Sequence, residues 1–250
     1  MTRCDCTLNG ASLSALDPRI RVVDVIETAP QRRRQTADHP RCGMFLLRQT
    51  RQHLGVQVRF LLQEEDVVQR RTLMQKVLAW AEPGGLLTTS DRPGQQLHVV
   101  CAASPSVSAL SWLDELTVEF RAYRLPWWES AAPVSVTTAD AAVLTVPGQG
   151  EAPVSAEVVN TGADTLTALT LAAGQIRMTF EGLALPAGSA FRLDFADGFL
   201  TAAIDGASVL HGRTDDSDDW LLAPCGQPCQ VCVTADQPVR AAFWARGRYL

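Results

Sequence analysis

Apolar and polar residues alternate through much of the chain with a period of two, the spacing that sends successive side chains to opposite faces of a strand. After Gly55, Val56, Val58, Phe60 and Leu62 share one face, and Gln57, Arg59 and Leu61 share the other. Leu116, Val118, Phe120 and Ala122 alternate in the same way with Thr117, Glu119, Arg121 and Tyr123. Residues 19–26 and 97–102 are rich in Val, Ile and Leu and are expected to be further strands. Residues 30–43, which contain Arg32, Arg33 and Arg34, show no period, so a long basic loop is expected there.

One segment carries a helical period. Glu64-Glu65-Asp66 places negative charge at its start, where the helix dipole favours it. Val67, Met74, Val77, Leu78 and Ala81 fall along one stripe, and Pro83-Gly84-Gly85 stops the helix. Beyond residue 133 there is no comparable helix. Short apolar runs at 156–159, 169–171, 176–180, 191–195, 199–204, 229–233 and 241–245 are separated by turn signals. Those signals are Asn160-Thr161-Gly162, Pro186-Ala187-Gly188, Asp197-Gly198 and Asp205-Gly206. Closely spaced short strands with such punctuation predict a β-sandwich. Ser130-Ala131-Ala132-Pro133 has the character of a linker, which divides the chain into domains 1–132 and 133–250.

Charge supports that division. The first 130 residues hold 16 Lys+Arg against 14 Asp+Glu, and the remainder 6 against 13. The net charge of −5 lacks the concentrated basic face of a nucleic-acid binder. No apolar run approaches the ~18 residues of a membrane helix. The N-terminus is polar and has no secretory leader pattern, so folding in the cytoplasm is expected. The cysteines number seven, an odd count, and are expected to be reduced.

Candidate chemistry is sparse. Cys225, Cys229 and Cys232 have the C-x3-C-x2-C spacing that can hold an iron–sulfur cluster or offer three thiolates to zinc. If 229–234 is a strand, Cys229 and Cys232 point to opposite faces, so a turn plus small apolar strand residues is the expected reading. Asp215-Asp216-Ser217-Asp218-Asp219 lacks the spacing of a calcium loop and is expected to be a solvated acidic turn. His39, His53, His98 and His211 show no metal spacing, and there is no nucleophile elbow, phosphate loop or dinucleotide fingerprint. No catalytic residue, metal or cofactor is expected. Trp127-Trp128 is expected to pack at the junction of the domains.

The order of features resembles a known family. In the first half, Val56-Gln57-Val58-Arg59-Phe60 precedes a helix ending Leu78-Ala79-Trp80-Ala81. Gly85-Leu86-Leu87-Thr88-Thr89-Ser90-Asp91-Arg92-Pro93-Gly94 follows, and the half closes on Trp112-Leu113-Asp114-Glu115-Leu116-Thr117-Val118-Glu119-Phe120 and a Pro-Trp pair. In the second half come Asn160-Thr161-Gly162, a strand ending at Asp205, Leu222-Ala223-Pro224-Cys225-Gly226 and a terminal Arg246-Gly247-Arg248-Tyr249-Leu250. This resembles the distal tail (Dit) family of long-tailed phages and prophages over nearly the whole chain. Cys225, between the proline and the glycine, departs from the family's turn.

The resemblance implies a mainly β protein. Its N-terminal domain would be a tail-tube-related sandwich or barrel with one helix, and its C-terminal domain a galectin-like β-sandwich. It implies a non-enzymatic subunit of the virion tail tip, assembled in the host cytoplasm. The N-terminal domains would form a hexameric ring with the C-terminal domains at its periphery. That ring would join the tail tube protein to the tail hub, a tail-associated lysin or fibre protein, and anchor receptor-binding proteins. DNA would pass without sequence-specific contact, and nothing would insert in a membrane. Arg32, Arg33 and Arg34 are the candidate assembly contacts. The competing reading is a host-adhesion module whose C-terminal sandwich binds carbohydrate.

Overall fold

The computed structural model describes residues 4–28, 32–39, 43–51, 54–103, 113–123, 126–196 and 199–250. The chain divides into two compact units, Met1–Trp128 with Leu250, and Glu129–Tyr249. It is mainly β, with one α-helix among the described residues.

The first unit opens with β1 (Cys6–Leu8), β2 (Ala11–Ser12) and β3 (Ile20–Thr28), followed by β4 (Arg32–His39), β5 (Gly43–Arg51) and β6 (Gly55–Gln63). Helix α1 (Val67–Ala81) leads into β7 (Gly85–Thr89), β8 (Gln95–Ala103) and β9 (Leu113–Ala122). An antiparallel sheet runs in the order β2-β1-β7-β8-β9-β6-β3. Register fixes its faces: Val56 pairs with Phe120, Val58 with Val118 and Phe60 with Leu116, and all six side chains are buried. Leu8, Leu87, Leu97 and Val99 extend the same apolar face. The reverse face carries a polar ladder in which Gln57 Nε2 donates to Glu119 Oε1 at 3.0 Å and Arg59 pairs with Glu115.

Helix α1 packs against the apolar face through Trp80, whose ring meets Phe120 edge-on at 5.9 Å. The indole Nε1 donates to the Ala11 carbonyl at 2.8 Å, which satisfies its polar end. Asp66 is the N-cap and accepts from the amides of Val68 and Gln69. The buried stripe is Arg70, Leu73, Met74, Val77, Trp80 and Ala81, not the expected set with Val67 and Leu78. Those two are half-buried, because Trp80 and Leu73 set which side meets the sheet. After the helix, Gly84 and Gly85 have φ of 61° and 128°. A Cβ on Gly84 would lie 2.5 Å from the Val99 carbonyl, so only glycine allows the approach.

A charged cluster ties helix to sheet from below. Asp17, buried, accepts from Arg19 Nε at 2.9 Å and from Lys76 Nζ at 3.0 Å. Arg19 also reaches Glu64 and Gln69. Hydrogen bonds from Arg19, joined by Lys76, hold the Asp17 carboxyl well below the usual carboxylate range.

The expected long loop is instead an antiparallel hairpin of β4 and β5, closed near His39 and Gly43. Residues 32–39 are mostly polar and 44–47 form an unbroken apolar run, so neither strand shows the alternation that marks a half-buried strand.

A short β10 (Trp128–Ser130) precedes β11 (Val134–Thr138), β12 (Ala141–Thr145), β13 (Glu151–Asn160), β14 (Leu166–Ala173) and β15 (Ile176–Leu185). Then come β16 (Ala190–Ala196), β17 (Phe199–Ile204), β18 (Ala207–Ser208), β19 (Leu222–Pro224), β20 (Pro228–Ala235), β21 (Val239–Ala245) and β22 (Arg248–Tyr249). One sheet runs β11-β21-β13-β16-β17-β18 with β19 on β13, and the other β12-β20-β14-β15. Val154, Ala156, Phe191 and Phe243 from the first share one core with Leu169, Leu171, Phe180 and Val231 from the second. Phe180 meets Phe191 across the core at 5.0 Å. The second unit is therefore a β-sandwich.

The turn signals have physical counterparts. Asn160 is fully buried, yet its Nδ2 donates to the carbonyls of Asp164 and Leu185 and its Oδ1 accepts from the Gly162 amide. Asp205 and Gly206 both have positive φ, the geometry of a two-residue hairpin joining β17 to β18. Asp197-Gly198 lies outside the described residues. Near the C-terminus, Arg248 is buried and donates to the Glu151 carbonyl at 2.7 Å.

Two measurements probe these contacts. Trp80→Ala removes the helix's main contact with the sheet and is expected to cost the first unit about 3–5 kcal/mol. Chemical denaturation should show that loss in one transition, with the sandwich transition in place; an unchanged first transition would refute it. Because Asp17 titrates lower folded than unfolded, its contribution is present above the ordinary carboxylate range near pH 4 and fades as pH falls through the lowered folded value. Asp17→Asn should therefore destabilise the protein at neutral pH and flatten the acid limb of its stability profile. An acid limb as steep as that of the parent protein would count against the cluster.

Candidate assembly surfaces

The β4–β5 hairpin is the most distinctive surface of the first unit. Among the described residues its strands pair only with each other. Arg32 pairs with Arg51, Arg33 with Thr50, Arg34 with Gln49 and Gln35 with Arg48. The register then shifts, since Thr36 pairs with Leu46, and this leaves Leu47 as the extra residue of a β-bulge. Beyond it, Ala37 pairs with Phe45 and Asp38 with Met44.

The sequence thus sorts the ribbon into two zones. Its basal half carries the arginines; Arg33, Arg34 and Arg48 are exposed and, with Gln35, border one open cleft. Its distal half carries Met44, Phe45 and Leu47, which are 69%, 48% and 61% exposed. A two-stranded ribbon is at best marginally stable alone, and three large apolar side chains in water add a further cost.

The expected candidates map onto this surface in part. Arg32, Arg33 and Arg34 lie on a strand rather than in a loop, and successive residues on a strand face opposite sides. Arg33 and Arg34 nonetheless both border the cleft shared with Gln35 and Arg48. The apolar zone was not expected from the sequence, although the run Met44-Phe45-Leu46-Leu47 between Gly43 and Arg48 was its signal.

The cysteines do not converge. Cys229 is buried on the inner face of β20 with Val231 and Val233, whereas Cys232 is half-buried on the opposite face. Cys225 is buried beyond β19, and burial pushes both its thiol and that of Cys229 upward, away from the thiolate form that metals require. Among the described residues no three His, Cys, Asp or Glu side chains are placed to hold a metal ion. In the acidic run, Asp218 accepts from the Arg177 amide at 2.8 Å and Asp216 accepts from Thr214 Oγ1 at 2.5 Å. Asp218 thus ties the turn to β15, and Asp216 closes a bond within the turn. Trp128 is fully buried, with the Arg92 guanidinium 5.3 Å above its ring.

No protein-family model and no curated protein matches the sequence. Among solved structures, the chain is similar to the Dit protein (gp 19.1) of phage SPP1, described as a paradigm of the hub adsorption apparatus in phages that infect Gram-positive bacteria. The TM-score is 0.76 at 11% identity, over 97% of this chain and 98% of that one. It is also similar to a chain of the phage P2 baseplate in its activated conformation with Ca, at a TM-score of 0.51 and 6% identity, covering 98% and 97% of the two chains. The same baseplate with Sr gives 0.50 at 6% identity with equal coverage. The chain thus shares the fold of these proteins over nearly its whole length.

The cysteine geometry yields a direct expectation. Protein purified without added metal should contain zinc and iron well below one equivalent by elemental analysis; a stoichiometric signal would show that the three thiols meet in solution.

Proposed function

We propose that this chain is a structural, non-catalytic subunit of a phage tail tip or baseplate. Copies close into a hexameric ring that joins the tail tube protein to the tail hub, a tail-associated lysin or fibre protein, and can anchor receptor-binding proteins. The first domain, residues 1–132, forms the ring. The second, the galectin-like sandwich of residues 133–250, offers surface to further tail components. The site of action is the virion tail tip, reached after assembly in the host cytoplasm.

The observation that carries this reading is the self-paired hairpin, on which Met44 and Leu47 are 69% and 61% exposed. A Dit-like fold at a TM-score of 0.76 over the full chain supports it. A head-to-tail contact, in which the arm of one copy seats on a different surface of the next, repeats around an axis and closes into a ring when the rotation allows. Burying each large apolar side chain contributes about 1.5–3 kcal/mol, so the three tip residues are enough to decide assembly. The exposed arginines at the base add steering and orientation more than affinity.

Native mass measurement and negative-stain imaging of the full chain test the proposal. The expected result is a six-fold ring with a central hole. The triple change Arg32→Ser, Arg33→Ser and Arg34→Ser should weaken the ring, and Met44→Ser with Phe45→Ser and Leu47→Ser should abolish it. Both sets should leave the far-ultraviolet circular dichroism of a folded monomer. A ring that survives the apolar set would sink the role given to the arm, and a parent chain that stays monomeric alone and with its tube and hub proteins would sink the ring.

A further inference from the structure

The second unit contains an open cleft of about 460 Å³ that the assembly role does not use. Its wall includes Phe199, Leu210, Arg213, Asp215, Asp219 and Trp220. Phe199 is 73% exposed, an unusual cost for a large apolar side chain at the start of a strand. Trp220 is half-buried and stacks on Phe195 with ring centroids 5.1 Å apart and planes inclined by 19°. That contact fixes the indole at the cleft.

The loop that supplies the polar groups is fixed as well. The Thr214 amide donates to the Thr179 carbonyl at 3.0 Å, and the Asp218 amide to the Arg177 carbonyl at 2.9 Å. Ser217 Oγ accepts from the Thr179 amide at 2.8 Å. These bonds extend the edge of β15 and leave Arg213, Asp215 and Asp219 to line the opening. Arg213 Nη2 lies 3.4 Å from Asp219 Oδ1, so a donor fork and an acceptor sit side by side. The Asp219 carboxylate stays 84% exposed and free to accept further hydrogen bonds.

The chemistry of this lining is selective. Aromatic faces favour a ligand with an apolar C–H surface, and an adjacent donor and acceptor favour neighbouring hydroxyls. Two carboxylates face one guanidinium in the lining, with the His211 imidazole beside them, a balance that does not favour an anion. An open cleft of this volume fits one or two sugar rings, within the usual range of small-ligand sites. We infer that the cleft binds a neutral pyranose saccharide, with Trp220 and Phe199 as the apolar platform and the Arg213–Asp219 pair on adjacent hydroxyls. The preformed loop lowers the ordering cost of binding. Saccharide binding here is independent of the ring, because the cleft residues all lie between 199 and 220 in the second unit.

Saturation-transfer NMR on the full chain tests it, with methyl glucoside, methyl galactoside, N-acetylglucosamine and maltose as neutral probes and glucuronate as the anionic one. At least one neutral probe should receive saturation on its ring protons and bind more tightly than glucuronate. Trp220→Ala and Asp219→Asn should each weaken that binding about tenfold or more, which corresponds to about 1.4 kcal/mol. The second change touches only an exposed side chain and keeps the result independent of folding. Absence of binding by all four neutral probes, preference for glucuronate, or binding untouched by both substitutions would overturn the inference. Oligomeric state measured on the same samples separates this outcome from that of the ring.

Discussion

The contact of Trp80 with Phe120 decides how the first unit is built. A sheet with one apolar face has to be covered, and this unit has one α-helix among its described residues to cover it. The indole serves both the apolar and the polar side of that contact. Its ring packs on Phe120, and its N–H is satisfied by Ala11 on the edge strand β2. Asp17, Arg19 and Lys76 hold the same helix from its flank, and Gly84 lets the chain leave it against β8. With the apolar face covered, the reverse face can remain a polar ladder of Gln57, Arg59, Glu115 and Glu119.

The hairpin follows from the same constraint. Its distal apolar residues lie outside the buried core: Met44 and Leu47 are largely exposed and Phe45 about half exposed. Covering exposed apolar side chains of this kind with another surface would be favourable. The bulge at Leu47 increases the local twist of the ribbon and adds an unpaired residue near its distal end. The second unit shows the opposite economy. Phe180, Phe191 and Phe243 are all buried, and even the buried Asn160 pairs both ends of its amide group.

What the sequence made legible and what it hid divide along burial. Strands with one buried face, such as β6 and β9, announce themselves by alternation, since water and core demand opposite residues at successive positions. So do β16, β17 and β21 in the sandwich. The hairpin has neither face in a core, so nothing enforced a period on Arg32 to His39, and it looked like a loop. Helix α1 was legible in extent but not in rotation. Its stripe follows Leu73 and Trp80, and a buried Arg70 occupies a position no apolar count would select. The cleft at Trp220 was hidden for another reason: Phe199, Arg213 and Asp219 meet only when β17 and the loop after residue 209 are brought together in space.

Identities of 11% and 6% alongside full-length fold similarity follow from the same physics. Alternation can be satisfied by any suitable apolar set, so it leaves little identity behind. Positions with a unique geometric demand are more restricted: a buried Asn160 that must satisfy three partners, an Asp205-Gly206 pair that must take positive φ, a Gly84 that must admit a carbonyl. These are few and scattered, which is why their order along the chain carries more information than any one of them. A fold of this kind does not by itself assign a function. Function is argued instead from surface features, and the two most distinctive are the arm with its exposed Met44 and Leu47 and the cleft beside Trp220.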